Sequence, residues 1–173
     1  MFVRVLGIDP GLTRCGYAVV DGRGARARAA SMGVIRTNSS DPLPQRLAEL
    51  RREFTDLIAE FSPHVVAVEQ VFFQVNARTA MATAQASGLA LAEGAVAGCE
   101  VIQYTPNQVK DAVAGWGGAG KEQIQKMVQT RLDLASLPRP ADAADAAAIA
   151  LTHLAMSPVG RHARQVATHG VSR

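Results

Sequence analysis

The sequence predicts an α/β fold with a mixed five-stranded sheet that is flanked by helices on both faces. Five short segments rich in apolar residues have the length of buried strands. Longer segments with helical periodicity or an Ala-rich composition separate the later strands. The order along the chain is three strands, a helix, a strand, a helix, a strand and then helices. This order predicts a mixed sheet with helices packed on its faces.

The first three predicted strands lie close together at the start of the chain. Residues 2–9 (FVRVLGID) form an apolar run that ends at the turn signal Asp9-Pro10-Gly11. Residues 15–21 (CGYAVVD) and about 28–37 are predicted as two further strands, joined by a segment that contains GRG.

The first predicted helix covers residues 43–61, where apolar side chains recur at steps of three and four with charged residues between them. These apolar residues are Leu43, Leu47, Leu50, Phe54, Leu57, Ile58 and Phe61. A short apolar run at 64–69 (HVVAVE) follows and ends in an acid, and an Ala-rich helical segment occupies about 77–97.

The last third of the chain is predicted to be mainly helical. A strand at 100–104 is followed by a helix that Pro106 opens and that continues to about 114. The glycine-rich loop 115–120 (GWGGAG) leads into a helix at 121–133, and a final helix covers 141–156 (ADAADAAAIALTHLAM).

The composition limits the classes of protein to which the chain can belong. Its 173 residues suffice for one domain, which we expect over residues 1–157, with a basic and flexible tail over 158–173. Lys and Arg number 18 and Asp and Glu 15, and three of the arginines lie in the tail, so the domain itself is neutral. Any nucleic-acid surface must therefore come from local clustering of charge.

Other common classes are not indicated by the sequence. Cys15 and Cys99 lie far apart, without the spacing of a zinc site or a disulfide framework. There is no signal-peptide pattern and no run of eighteen apolar residues, so we expect a cytoplasmic protein without a membrane partner.

Four acids occupy the ends of predicted elements. Asp9 and Glu69 each follow an apolar strand, where a charge is costly unless something compensates it. Asp142 and Asp145 are three residues apart, so they share one face of the last helix near its start. A turn role could explain Asp9 alone, and the helix dipole could explain Asp142 alone. The four together predict a functional cluster at one end of the sheet.

The type of residue in this cluster indicates its chemistry. Carboxylates without a nearby Cys or His form hard oxygen sites that suit Mg²⁺ or Mn²⁺. The chain lacks the Gly-x-Ser-x-Gly motif of a serine hydrolase, and Glu122 stands where a P-loop needs a hydroxyl. Two metal ions held by shared acids can activate water against a phosphodiester, so the residues predict a metal-dependent phosphoryl hydrolase.

Four motifs follow one another from about residue 3 to residue 156. They are GIDPGLTRCGYAVV, VAVEQVFF, TPNQVKDAVAG with the following GGAGK, and ADAADAAAIALTH. In this order and spacing they resemble the RuvC family of bacterial Holliday-junction resolvases, which have the ribonuclease H-like fold. The resemblance implies an endonuclease that resolves four-way DNA junctions by paired symmetric nicks in recombination and DNA repair.

The resemblance also implies the metal ligands. These are Asp9, Glu69, Asp142 and Asp145, which would bind two Mg²⁺ ions per subunit, with Mn²⁺ as a substitute. Water activated at this centre would attack the scissile phosphate and leave a 5′-phosphate and a 3′-hydroxyl. Some members of the family have His at the position of Asp142.

Three further residues match family positions near the DNA, and a fourth is the neighbouring aromatic Phe73. Lys121 would lie close to the scissile phosphate and stabilise developing charge, and Lys110 would touch the DNA backbone. Phe72 would stack on a base near the junction crossover, while Phe73 is either a second DNA contact or part of the core. Trp116, inside the glycine loop, departs from the family pattern and either covers the site or rests on DNA.

The resemblance finally implies partners: four-way junction DNA, a second copy of the chain in a homodimer, and the branch-migration complex of RuvA and RuvB. Two alternatives stay open. The chain could be another ribonuclease H-like nuclease that acts on RNA or other branched DNA, or a DNA-binding module without catalysis.

Overall fold

A computed structural model of the chain describes residues 2–23, 26–71 and 77–157, with the backbone alone for 77–79. The elements are β1 (Phe2–Asp9), β2 (Arg14–Arg23), β3 (Arg26–Arg36), α1 (Leu43–Phe61), β4 (Val65–Glu69), α2 (Ala77–Val96), β5 (Glu100–Tyr104), α3 (Pro106–Ala114), α4 (Lys121–Arg131) and α5 (Ala141–Met156). Every element predicted from the sequence is present, in the predicted order. No helix among these described residues is both long and apolar enough to cross a membrane.

The five strands form one mixed sheet in the order β3-β2-β1-β4-β5. The first three strands are consecutive in the chain and pair antiparallel. Strands β4 and β5 are each preceded by a helix, and they extend the sheet in parallel with β1. This arrangement confirms the predicted mixed five-stranded sheet.

The boundaries of several elements differ from the prediction, most clearly those of β2, β3 and α4. Strands β2 and β3 pair as far as Arg23 and Arg26, beyond the apolar segments that marked them. Backbone hydrogen bonds of a hairpin continue through polar residues, so the hydrophobic pattern underestimates the length of both strands. Helix α4 ends at Arg131, two residues early, and Asp133 adopts a left-handed conformation that ends any helix.

Alternate residues of the central strands supply two separate hydrophobic cores. Val5 of β1, Ala18 of β2 and Ala67 of β4 pack against α3, α4 and α5. Leu6 and Val66 belong to the opposite core, which is closed by α1 and α2. The sheet is therefore covered by helices on both faces, as predicted.

The Ala-rich composition of α5 is explained by its close contact with the sheet. Eleven of its sixteen residues are buried, and most of them are Ala. A Cβ atom at Gly7 would collide with the carbonyl of Ala146 and lie 2.9 Å from the backbone nitrogen of Ala150. One at Gly16 would collide with the carbonyl of Asp142. Small residues on both the helix and the strands thus let the two backbones approach one another.

Candidate active site

Asp9 and Glu69 are brought together by the pleat of two parallel strands. The register pairs Val5 with Val65, so its continuation places Asp9 beside Glu69 at the carboxyl ends of β1 and β4. Because side chains alternate along a strand, both acids point to the same face as Val5 and Val65. That face is the one covered by α5.

Asp142 and Asp145 reach the same place from the start of α5. In the pairing of β1 with β2, Asp9 lies opposite Gly16. The backbone of Asp142 packs directly over Gly16, where any larger residue would displace it. The close helix contact therefore positions the first turns of α5 over the strand ends, and the structure brings together all four acids that the sequence singled out.

The four carboxyl groups influence one another electrostatically. The pKa of Asp9 is raised to about 8, mainly by burial and also by the charges of Glu69, Asp145 and Asp142. Burial followed by the charge of Asp145 raises the pKa of Glu69. Burial also raises the pKa of Asp145, and Lys121 opposes that rise. A cluster with this excess of negative charge favours a cation.

Two lysines predicted from the sequence lie next to the cluster. The Nζ atom of Lys121 is 3.9 Å from Oδ2 of Asp145, and the lysine side chain is 83% exposed at the start of α4. The charge of Lys110 on α3 lowers the pKa of Glu69 against the effect of burial. Thr105 and Gln108 form a reciprocal capping box that fixes the start of α3. The positive charges of both lysines thus act on the acid cluster.

The sequence analysis did not identify Arg14, which forms an ion pair with Asp142. Its Nε donates to Oδ2 of Asp142 at 2.9 Å, and Nη2 donates to the same oxygen. The two residues lie 128 positions apart, and only the fold shows that they meet. The available signal was an arginine five residues after Asp9, within the first motif.

The donor atoms of the cluster fit a hard divalent cation, because they are all carboxylate oxygens. Within the described residues, no group of three or more Asp, Glu, His or Cys side chains holds the geometry of a metal site as it stands. Like charges repel, and Asp142 pairs with Arg14. The acids would therefore have to draw together to coordinate a cation, and their role as metal ligands stays a prediction.

The other residues that the sequence analysis singled out for DNA contacts are aromatic. Phe72 and Phe73 lie outside the described residues, as does the tail 158–173. The side chain of Trp116 is 55% exposed, and its ring covers Gly118 of its own loop. Trp116 is therefore accessible to a ligand at the surface.

We expect the metal-free protein to lose stability as the pH rises from 5.5 to 8. A carboxyl group with a raised pKa keeps its proton in the folded state, so folding is favoured at low pH and weakens towards the folded pKa, about 8 for Asp9. The loss is at most about 1.4 kcal/mol per pH unit for each such group. Urea unfolding in a chelator at both pH values measures it. Asp9→Asn should show a smaller drop than wild type, and an equal drop would contradict the assignment.

The sequence and the fold were compared with known proteins. The sequence pattern of the family described as "Crossover junction endodeoxyribonuclease RuvC" matches residues 5–153. A protein of that name from Salinispora arenicola is 54% identical over 153 residues, which cover 88% of this chain and 87% of the relative. Another from Parafrankia is 50% identical over 157 residues, 90% of this chain and 88% of the relative.

Solved structures give the same result for the fold. T. thermophilus RuvC in complex with a Holliday junction substrate matches with a TM-score of 0.83 and 40% identity, over 87% of this chain and 92% of that one. The yeast mitochondrial Holliday junction resolvase Ydc2 matches with a TM-score of 0.70 over 98% of this chain and 85% of that one. At 15% identity, that second likeness shows the fold alone.

Proposed function

Since the chain belongs to the RuvC family of crossover junction endodeoxyribonucleases, we propose that it resolves four-way DNA junctions by paired symmetric nicks. The observation that carries the proposal is the convergence of four carboxylates at the carboxyl ends of two parallel strands. A module that only binds phosphate would avoid such a concentration of negative charge. The cluster therefore favours catalysis over binding alone.

We propose two Mg²⁺ ions per subunit as the cofactor, replaceable by Mn²⁺, with the four acids as ligands. These are Asp9, Glu69, Asp142 and Asp145. When bound, such ions supply the charge that activates water and stabilises the departing oxygen of a phosphodiester. Strand ends and a buried helix fix the backbone positions of the four acids, and their side chains would draw together around a bound cation.

The cations around the cluster have separate roles in this proposal. Lys121, within 4 Å of Asp145 by its Nζ, would stabilise negative charge that develops on the scissile phosphate. Lys110 would contact the DNA backbone on the side of Glu69. Arg14 orients Asp142 by donating two hydrogen bonds to one of its oxygens. Phe72 and Phe73 are proposed to contact bases near the crossover.

The assembly is also part of the proposal. We place the catalytic fold in one domain, residues 1–157, because both hydrophobic cores share one sheet.

A homodimer suits a four-way junction, because two identical sites can nick two strands of like polarity. The exposed Met81 on α2, which is 57% accessible, supports a contact along this helix. RuvA and RuvB are the proposed motor partners, and the cytoplasm is the proposed compartment.

A labelled synthetic four-way junction tests the function. With Mg²⁺ we expect paired nicks in opposite strands with 5′-phosphate ends, and with a chelator we expect none. Linear duplex and an RNA–DNA hybrid of the same sequence are the comparison substrates. Equal cleavage of either would favour another ribonuclease H-like nuclease, and junction binding without nicks would favour a binding module.

A further inference from the structure

An open cleft lies beside the acid cluster, between the turn that follows β1 and the two helices α1 and α2. Its volume is about 360 Å³. The residues that line it are Gly11, Leu12, Thr13, Arg14, Arg46, Ala82 and Thr83. The lining contains two arginines, two threonines and no acid, so its chemistry is that of an anion site.

The guanidinium of Arg46 is held in place by two threonines. Its Nε donates to Oγ1 of Thr37 at 2.9 Å, and its Nη2 donates to Oγ1 of Thr13 at 2.7 Å. Thr37 is 5% exposed, and its own hydroxyl donates to the carbonyl of Leu12 at 2.6 Å. The long side chain is thus ordered before any ligand arrives, which reduces the entropy lost on binding.

Within the part of the chain that the structure describes, no ion pair neutralises the charge of Arg46. Arg4 pairs with Asp21 and Arg51 pairs with Glu93, but among the described residues no carboxylate forms an ion pair with Arg46. Its hydrogen-bond partners are neutral hydroxyls. A fixed guanidinium with a net positive charge at the mouth of a cleft is a suitable partner for a phosphate.

The cleft shares a wall with the candidate active site. Thr13 and Arg14 follow Asp9 by four and five residues, and Arg14 lies between the cleft and Asp142, with which it pairs. An extended polyanion that places one phosphate at the acids would pass the cleft with a neighbouring one. A small free anion could occupy only one of the two sites, so their proximity would not increase its affinity.

We propose that the cleft binds a backbone phosphate of the junction strand next to the scissile phosphodiester, with Arg46 as the principal ligand. Thr13 and Thr83 border the same space. The contact would read no base and would set the register of the strand in the site. This inference rests on the proposed function, because it takes junction DNA as the ligand.

The test measures junction binding by fluorescence anisotropy across a range of salt concentrations. Every protein carries Asp9→Asn so that the DNA stays uncut. Arg46→Gln should weaken binding about tenfold and reduce the slope of log affinity against log salt by about 0.9, the value for one phosphate contact. Arg52→Gln, an exposed arginine on the same helix, is the matched control and should change both quantities much less.

A single neutral methylphosphonate, moved stepwise along the strand, identifies the contact. One position near the scissile bond should weaken binding of the Arg46 protein and have no effect on Arg46→Gln. Thr37→Val keeps the charge but removes one anchor, and we expect an intermediate loss. Inorganic phosphate should compete only at concentrations far above those of DNA, which separates a strand phosphate from a free ion.

The outcomes separate the two proposals. If Arg46→Gln and Arg52→Gln bind alike while wild type still nicks junctions, the cleft assignment is wrong and the proposed function stands. If wild type neither binds nor nicks junctions, the proposed function fails. Unfolding curves for each variant show whether a loss reflects misfolding, and a folded Arg46→Gln with an unchanged salt slope also contradicts the inference.

Discussion

Asp9→Asn is expected to slow junction cleavage by at least about a thousandfold while junction binding changes less than about threefold. The amide has the shape of the carboxylate but no negative charge, so it is a much weaker ligand for a hard divalent cation. The charges of all three other acids raise the pKa of Asp9, so this carboxyl group interacts with the whole cluster. Initial nicking rates in saturating Mg²⁺, with binding measured in parallel, check the expectation.

Asp56→Asn provides the matched control for this change. Asp56 is an exposed acid on α1 and lies outside all four motifs, so we expect wild-type rates. A second readout that does not depend on activity is the increase in stability caused by Mg²⁺, which should be smaller in Asp9→Asn than in wild type. If Asp9→Asn cleaved at the wild-type rate, the acid cluster could not be the catalytic centre.

Gly7→Ala is expected to lower the free energy of unfolding by about 3 kcal/mol and to reduce cleavage as well. The added methyl group would collide with the backbone of α5 at Ala146 and Ala150, which no side-chain rotation can relieve. The helix must move away from β1, and it carries Asp142 and Asp145 with it. A displacement of about 1 Å in a catalytic group can cost about a hundredfold in rate.

Gly88→Ala is the control for the glycine substitution. Gly88 lies on α2 with nothing within 4 Å of an added Cβ, so Ala should be neutral or stabilise by up to about 1 kcal/mol. Urea unfolding of both variants measures the difference. A Gly7→Ala protein as stable as wild type would mean that α5 does not approach β1 as closely as described.

Local patterns were sufficient to predict the elements and the four acids. Asp9 and Glu69 end apolar runs, and runs of that kind predict strands whose carboxyl ends meet at one edge. Asp142 and Asp145 share a helix face by spacing alone. Each of these inferences uses only neighbouring residues, so it did not require the register of the sheet.

The contacts made by arginines could not be predicted in this way. Arg14 meets Asp142 because α5 packs over Gly16, and Arg46 meets Thr13 because α1 crosses the turn after β1. Such side-chain contacts depend on the angles and distances between packed helices and strands, and the hydrophobic periodicity of the sequence does not determine these. The ends of the β2–β3 hairpin were missed for a related reason, since backbone pairing continues beyond the hydrophobic residues.

The close contact of α5 with the sheet has a consequence for the motions of the molecule. A helix buried on nearly all sides can separate from its strands only when the core itself opens, so its amide hydrogens belong to the slowest-exchanging part of a protein. Asp142 and Asp145, which are half of the acid cluster, therefore lie on the helix that unfolds last. The side chains of Lys121 and Arg14 are exposed and can change conformation quickly, while the backbone that carries Asp142 and Asp145 keeps its position for as long as the core stays closed.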